Sequence, residues 1–122
     1  MVGWPKKDAA LISRIDDLLS TAPVQRKNFY GNIAWFLDSN DLMFAGAWGD
    51  DVFVRVGEKQ AAMLIESGHA AHFDPSGHRP KREYVYLDAQ RIAGNDTLLR
   101  WLDKATEFVS TLQPKGKRSR RR

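Results

Sequence analysis

Asp41–Gly57 reads DLMFAGAWGDDVFVRVG, two apolar runs, Leu42–Trp48 and Val52–Val56, on either side of Gly49-Asp50-Asp51. Gly-Asp between β-rich runs predicts a hairpin, because short turns need residues that tolerate positive φ. Val52, Val54 and Val56 fall on one face of the second strand, with Phe53 and Arg55 on the other. The first run is apolar at every position, so its strand is expected to be covered on both faces.

Upstream, Ile33, Trp35 and Leu37 alternate with Ala34 and Phe36, which predicts a strand over Asn32–Leu37. The turn cluster Asp38-Ser39-Asn40-Asp41 joins it to the hairpin as a three-stranded antiparallel meander. Gln25–Asn28 is polar and reads as a connection. Before it, Leu11, Ile12, Ile15, Leu18 and Leu19 share one helical face, with Arg14, Asp16 and Asp17 outward. Pro5 is expected near the first helical position, with Asp8 in the first turn.

Downstream, Glu58–Ser67 predicts a short helix closed by Gly68. His69–Phe73 is a weak strand, Asp74–Pro80 a turn-rich loop, and Tyr84–Leu87 a firmer strand with its tyrosines on one face. The last helix has Leu98, Leu102, Ala105, Val109 and Leu112 on one side, with Asn95 or Asp96 as its N-cap. The expected architecture is therefore a two-layer α+β fold of order α-β3-α-β2-α. Its mainly antiparallel five-stranded sheet carries three helices on one face.

The chain has 122 residues, 43% hydrophobic and 28% charged, the composition of one globular domain. It has no cysteine, which fits a reducing cytoplasm and excludes thiolate metal sites. No stretch resembles a membrane span or a secretory leader. The net charge of +4 is uneven, because Lys115, Lys117, Arg118, Arg120, Arg121 and Arg122 supply six of the 19 basic residues. That leaves 13 against 15 acidic residues elsewhere, a formal −2. The expected division is a domain over 1–113 and a disordered basic tail over 114–122.

This pattern resembles the TfoX/Sxy family, in its N-terminal domain. The resemblance rests on Asn28-Phe29-Tyr30-Gly31 in the place of Met-Phe-Gly-Gly, and on MFAGAWGDDVFVRVG at Met43–Gly57. It rests also on Phe73, on GHRPKREYVYLD at Gly77–Asp88, and on LLRWLDKATEFVSTLQPK at Leu98–Lys115. It implies a secretion-chaperone-like α+β fold, often dimeric, without established catalytic residues and with an indirect regulatory link to transcription and competence. Tyr30-Gly31 departs from the family's Phe-Gly-Gly, and the second domain of some competence regulators is not expected here.

The residues with chemistry to offer are few. His69, His72 and His78, with Asp74, have a spacing that a metal would accept but lack a completing Glu or Cys; polar loop residues, with no metal and no cofactor, are the expectation. Asp16/Asp17 and Asp50/Asp51 read as solvated charge, and Ser76 as a turn residue without a base relay. An enzyme is not expected. Arg79, Lys81 and Arg82 form a basic cluster that could take a phosphate or an acidic partner, or protect an edge strand. The tail offers six charges to nucleic acid without an aromatic for stacking, so binding there is expected to be weak and sequence-independent. The aromatic excess of Trp35, Phe36, Phe44, Trp48 and Phe53 calls for cover on the second sheet face. A homodimer supplies it, or a loop such as Phe73–Arg82 folds over it. The functional expectation is a non-enzymatic, cytoplasmic binding or regulatory module using its sheet face, the alternative being a nucleic-acid-associated protein that acts through its tail.

Overall fold

The two runs of Asp41–Gly57 form a hairpin of β3 (Met43–Trp48) and β4 (Asp51–Arg55). Trp48 pairs with Asp51 across a two-residue turn whose Gly49 has φ 63°. The computed structural model describes residues 5–114. Around the hairpin lie α1 (Ala9–Leu18), β1 (Val24–Phe29), β2 (Asn32–Leu37), α2 (Glu58–Glu66), β5 (Ala71–His72), β6 (Tyr84–Leu87) and α3 (Asn95–Val109). All strand pairs are antiparallel, in the order β1-β2-β3-β4-β6-β5.

The sheet thus has six strands, not five. The added strand is Val24–Phe29, whose Gln-Arg-Lys-Asn centre is exposed and carries no apolar alternation. It is an edge strand held by its ladder to β2, and polar edge residues such as Arg26 and Lys27 discourage further pairing. Its turn to β2 is Tyr30-Gly31, with φ 53° and 83°, the two left-handed residues that a tight hairpin turn requires.

Side chains directly opposite in an antiparallel ladder share a face. Trp35, Ala45, Val54 and Val85 therefore lie in one row, with Ala47, Val52 and Leu87 beside them. These residues join the buried side chains of all three helices in one core, so the helices cover one face. The β2–β3 register shifts between Trp35 and Phe36, leaving Phe44 unopposed, and its buried ring joins that same core. Gly46, Phe53 and Tyr86 occupy the opposite, outer face.

The helices meet the sheet through a few specific ties. Asp8 caps α1, its carboxylate accepting from Leu11 N at 3.1 Å, so the helix begins after Asp8 and not near Pro5. Pro5 sits at the hairpin end instead, its carbonyl accepting from Asn32 Nδ2 (2.9 Å), while Asn32 Oδ1 accepts from Gly49 N (3.2 Å). Gly94, with no side-chain cap, precedes α3 where Asn95 or Asp96 was expected as N-cap. Asn95 Oδ1 accepts from Arg14 Nε (3.0 Å), and Arg14 also donates to Ile92 O (2.7 Å); this arginine links α1 to α3 and does not point outward. Buried Asn40 donates to Val109 O (2.8 Å) and Leu112 O (3.2 Å), while its Oδ1 accepts from Leu42 N (3.2 Å).

Gly46 decides how the outer face packs. A β-carbon there would lie 2.7 and 2.8 Å from Cε2 and Cε1 of Phe53, inside the ring's van der Waals envelope. We expect Gly46→Ala to destabilise the fold by about 1–3 kcal/mol through overpacking. The check is chemical denaturation, with a lowered midpoint at unchanged slope; an unaltered midpoint would mean that Phe53 moves aside freely.

Candidate binding surface

The outer face is aromatic because four strands each contribute to it. Phe53 lies over Gly46, and Phe73 stacks on Phe53 with ring centroids 4.2 Å apart and planes 10° from parallel. Phe73 also meets Trp48 edge-on at 5.7 Å and lies 5.9 Å from Tyr84. Both Phe53 and Phe73 are buried. The chain thus covers part of its own outer face with the start of the 73–83 loop, the arrangement set out above as the alternative to a second copy.

Beside this stack runs a groove of about 400 Å³. Phe29 and Tyr30 from the first hairpin, Met43 from β3, and Phe73 and Tyr84 line it, with Pro75, Ser76 and Lys81 from the loop. Tyr30 is 69% exposed, and its left-handed backbone is uncommon for a residue with a bulky side chain. Phe29 and Tyr30 pack edge to face at 4.9 Å. The loop is ordered by its own bonds: Asp74 accepts from Gly77 N (2.9 Å) and Arg79 N (3.1 Å), and Lys81 N donates to Phe73 O (2.8 Å).

The same loop carries the basic cluster. Arg79, Lys81 and Arg82 are exposed and line a second cleft of about 340 Å³ against Glu58, Ala62 and Ile65 of α2, together with His72. Edge protection does not explain them, since β6 lies inside the sheet between β4 and β5. Among the described residues, the Arg79 and Lys81 side chains make no hydrogen bond or ion pair, and Arg82 reaches Glu58 at 3.7 Å. The tail residues Lys115, Lys117, Arg118, Arg120, Arg121 and Arg122 lie outside the described residues.

Several of the remaining candidates have structural employment. His69 Nδ1 lies 2.7 Å from Ser67 Oγ, and among the described residues no group of three His, Asp or Glu comes together to hold a metal. Ser76 donates to Asp74 Oδ1 (3.1 Å) within its turn. Asp16 is more than solvated charge, since it accepts from the buried Trp35 indole (2.9 Å) and pairs with Arg26. Asp51 likewise accepts from the Tyr86 hydroxyl and from Ala89 N (2.8 Å), pinning the end of β6 to β4. No helix among the described residues is long and apolar enough to cross a membrane. The sheet face was expected to bind, but the groove itself was not legible, because its rings come from separate strands, a turn and a loop; the charge run 79–82 was locally visible.

Tyr86 gives this face a pH response. Burial, then the hydrogen bond to Asp51 and the charges of Asp51, Asp50 and Asp88, push its hydroxyl pKa well above the ordinary 10.0. A raised pKa favours the protonated form in the folded state, so its stabilisation is present below pH 10 and is lost as pH climbs toward the folded value. Denaturation at about pH 8 and about pH 10.5, on either side of the ordinary tyrosine value, should show a smaller alkaline loss for Tyr86→Phe than for the native chain. Equal losses would mean that Asp51 does not hold the neutral phenol.

No curated protein matches this chain in a sequence search. The model of the TfoX N-terminal domain matches residues 16–109, from the last turn of α1 to the last residue of α3. That span holds all six strands and the outer-face groove, and the chain belongs to the TfoX N-terminal domain family.

Proposed function

We propose that this chain is a regulatory binding module, without catalysis of its own, and that the outer aromatic face is the surface with which it binds. The observation that carries this reading is the groove of about 400 Å³ beside the Phe53–Phe73 stack, open on the side of the sheet away from the helices. Aromatic walls with a few polar groups are the usual composition of a recognition site. A tyrosine 69% exposed at the rim of the groove fits the same reading. Family membership supports a regulatory, competence-related role at the level of the family.

A benzophenone amino acid placed at Tyr30, and in parallel at Met63, tests this in cells. Met63 is 56% exposed and lies on α2, so it serves as a matched apolar position off the groove. We expect adducts from position 30 that position 63 does not give, a second copy of the chain showing as a band at twice its mass. Equal yields, or none at position 30, would remove the outer face as the binding surface.

A second reading rests on composition alone, the six basic residues of Lys115–Arg122 with no acid among them. Six phosphate contacts on duplex DNA give a log–log salt slope of at most about −5. Anisotropy on a labelled duplex, comparing the native chain with one whose six tail cations are glutamine, reads this out. Loss of binding in the neutralised chain supports a tail anchor; identical curves dismiss it.

A further inference from the structure

We infer that the groove and the Arg79–Arg82 cluster form one site for single-stranded nucleic acid, with bases on the rings and phosphates on the cations. The inference rests on the reading of the outer face as the binding surface, and it names the ligand of that surface.

Lys81 is the hinge of the argument, because it lines both the aromatic groove and the basic cleft. Aromatic faces and uncompensated positive charge are thereby contiguous. The charge is uncompensated in a specific sense. Elsewhere the fold neutralises cations next to the sheet, pairing Arg26 with Asp16, Lys27 with Asp41, Arg55 with Glu83 and Arg91 with Asp88. On the 79–82 loop the one pairing is the 3.7 Å contact of Arg82 with Glu58, whose side chains are 81% and 65% exposed. From Pro75 to Arg82 the sequence holds no acid. Since the chain before the tail has a formal charge of −2, an anion is drawn to this loop by a local field and not by the chain as a whole.

The ligand must satisfy both halves. A peptide meets both halves only where aromatic and acidic side chains happen to alternate at the right spacing. A nucleotide chain alternates flat π surfaces with phosphates, which is the alternation that this surface presents. It must be single-stranded, because in a duplex the base faces are already stacked on one another. Tyr30 is the most accessible ring, and Tyr84 and Phe29 are half-buried beside it.

The test is fluorescence anisotropy with a labelled oligothymidylate across a salt series. It uses the full chain in its native form and in the form with its six tail cations replaced by glutamine, so that the tail cannot supply the signal. In the neutralised chain, three phosphate contacts give a log–log slope of about −2. Tyr30→Asn should weaken binding by roughly tenfold with the slope unchanged, since a stacked base is lost. Asparagine accepts the left-handed turn, so this variant keeps its fold. Lys81→Gln should flatten the slope by about 0.7, the share of one contact. Equal competition by the duplex, by polyglutamate or by a mononucleotide would overturn the inference, as would indifference to both substitutions or no binding by the neutralised chain. If position 30 still crosslinks in cells while the oligonucleotide fails, the ligand class is wrong and the binding surface stands. If neither succeeds, both fall.

Discussion

Where β3 passes beneath Phe53 the chain carries no β-carbon, and the ring lies flat against the strand in the space a side chain would fill. Phe73 can then stack on Phe53, which brings the 73–83 loop over the sheet and places Lys81 beside Tyr84 and Phe29. Each of those steps depends on the one before it. A methyl group at position 46 would lift Phe53, and the loop would lose the surface on which it is seated. The outer face is thus organised from a single position at the centre of the sheet, while the helix side is organised by bulk apolar burial over many positions.

The two faces also differ in how polar groups are used. Buried Asn40 on the helix side and buried Asn32 at the hairpin end of the outer face spend their hydrogen bonds on backbone groups at the ends of elements, which a low-dielectric interior demands of any polar side chain it admits. Arg14 does the same for the carbonyl of Ile92 ahead of α3. On the outer face, Asp51 and Tyr86 tie β4 to β6, and beyond them the Arg79 and Lys81 side chains are turned to solvent without an ion pair, while Arg82 meets Glu58 at 3.7 Å. Both faces are tied by internal pairing, and the outer one keeps unspent electrostatic capacity at Arg79 and Lys81.

Much of this architecture was legible in the sequence, and the exceptions have physical causes. The valine alternation of β4, the tyrosine alternation of β6 and the apolar stripe of α3 are periodic signals, and the structure follows them. β1 escaped because an edge strand wet on both sides need not alternate; what makes Val24–Phe29 a strand is its partner, not its own composition. Phe44 joined the helix-side core through a register shift that no local pattern announces. Asn40 lay in an obvious turn cluster, yet its role depends on carbonyls near the far end of the chain. For the site, the cation run 79–82 was plain, while the convergence of Phe29, Tyr30, Met43 and Tyr84 arises from the order of strands in the sheet. Such convergence is a property of topology, and composition alone does not encode it.

The Asn40 clamp has a mechanical consequence. By donating to the carbonyls of Val109 and Leu112, it lashes the exit of α3 to the turn between β2 and β3. The last turn of α3 is thereby held to the sheet by a side-chain tie as well as by the apolar burial of Val109. The anchorage leads inward, since Asn40 also holds Leu42 N at the start of β3, the strand on which Gly46 lies. One carboxamide therefore joins the exit of α3 to the start of the strand at the centre of the sheet, two places that the chain itself separates by some seventy residues.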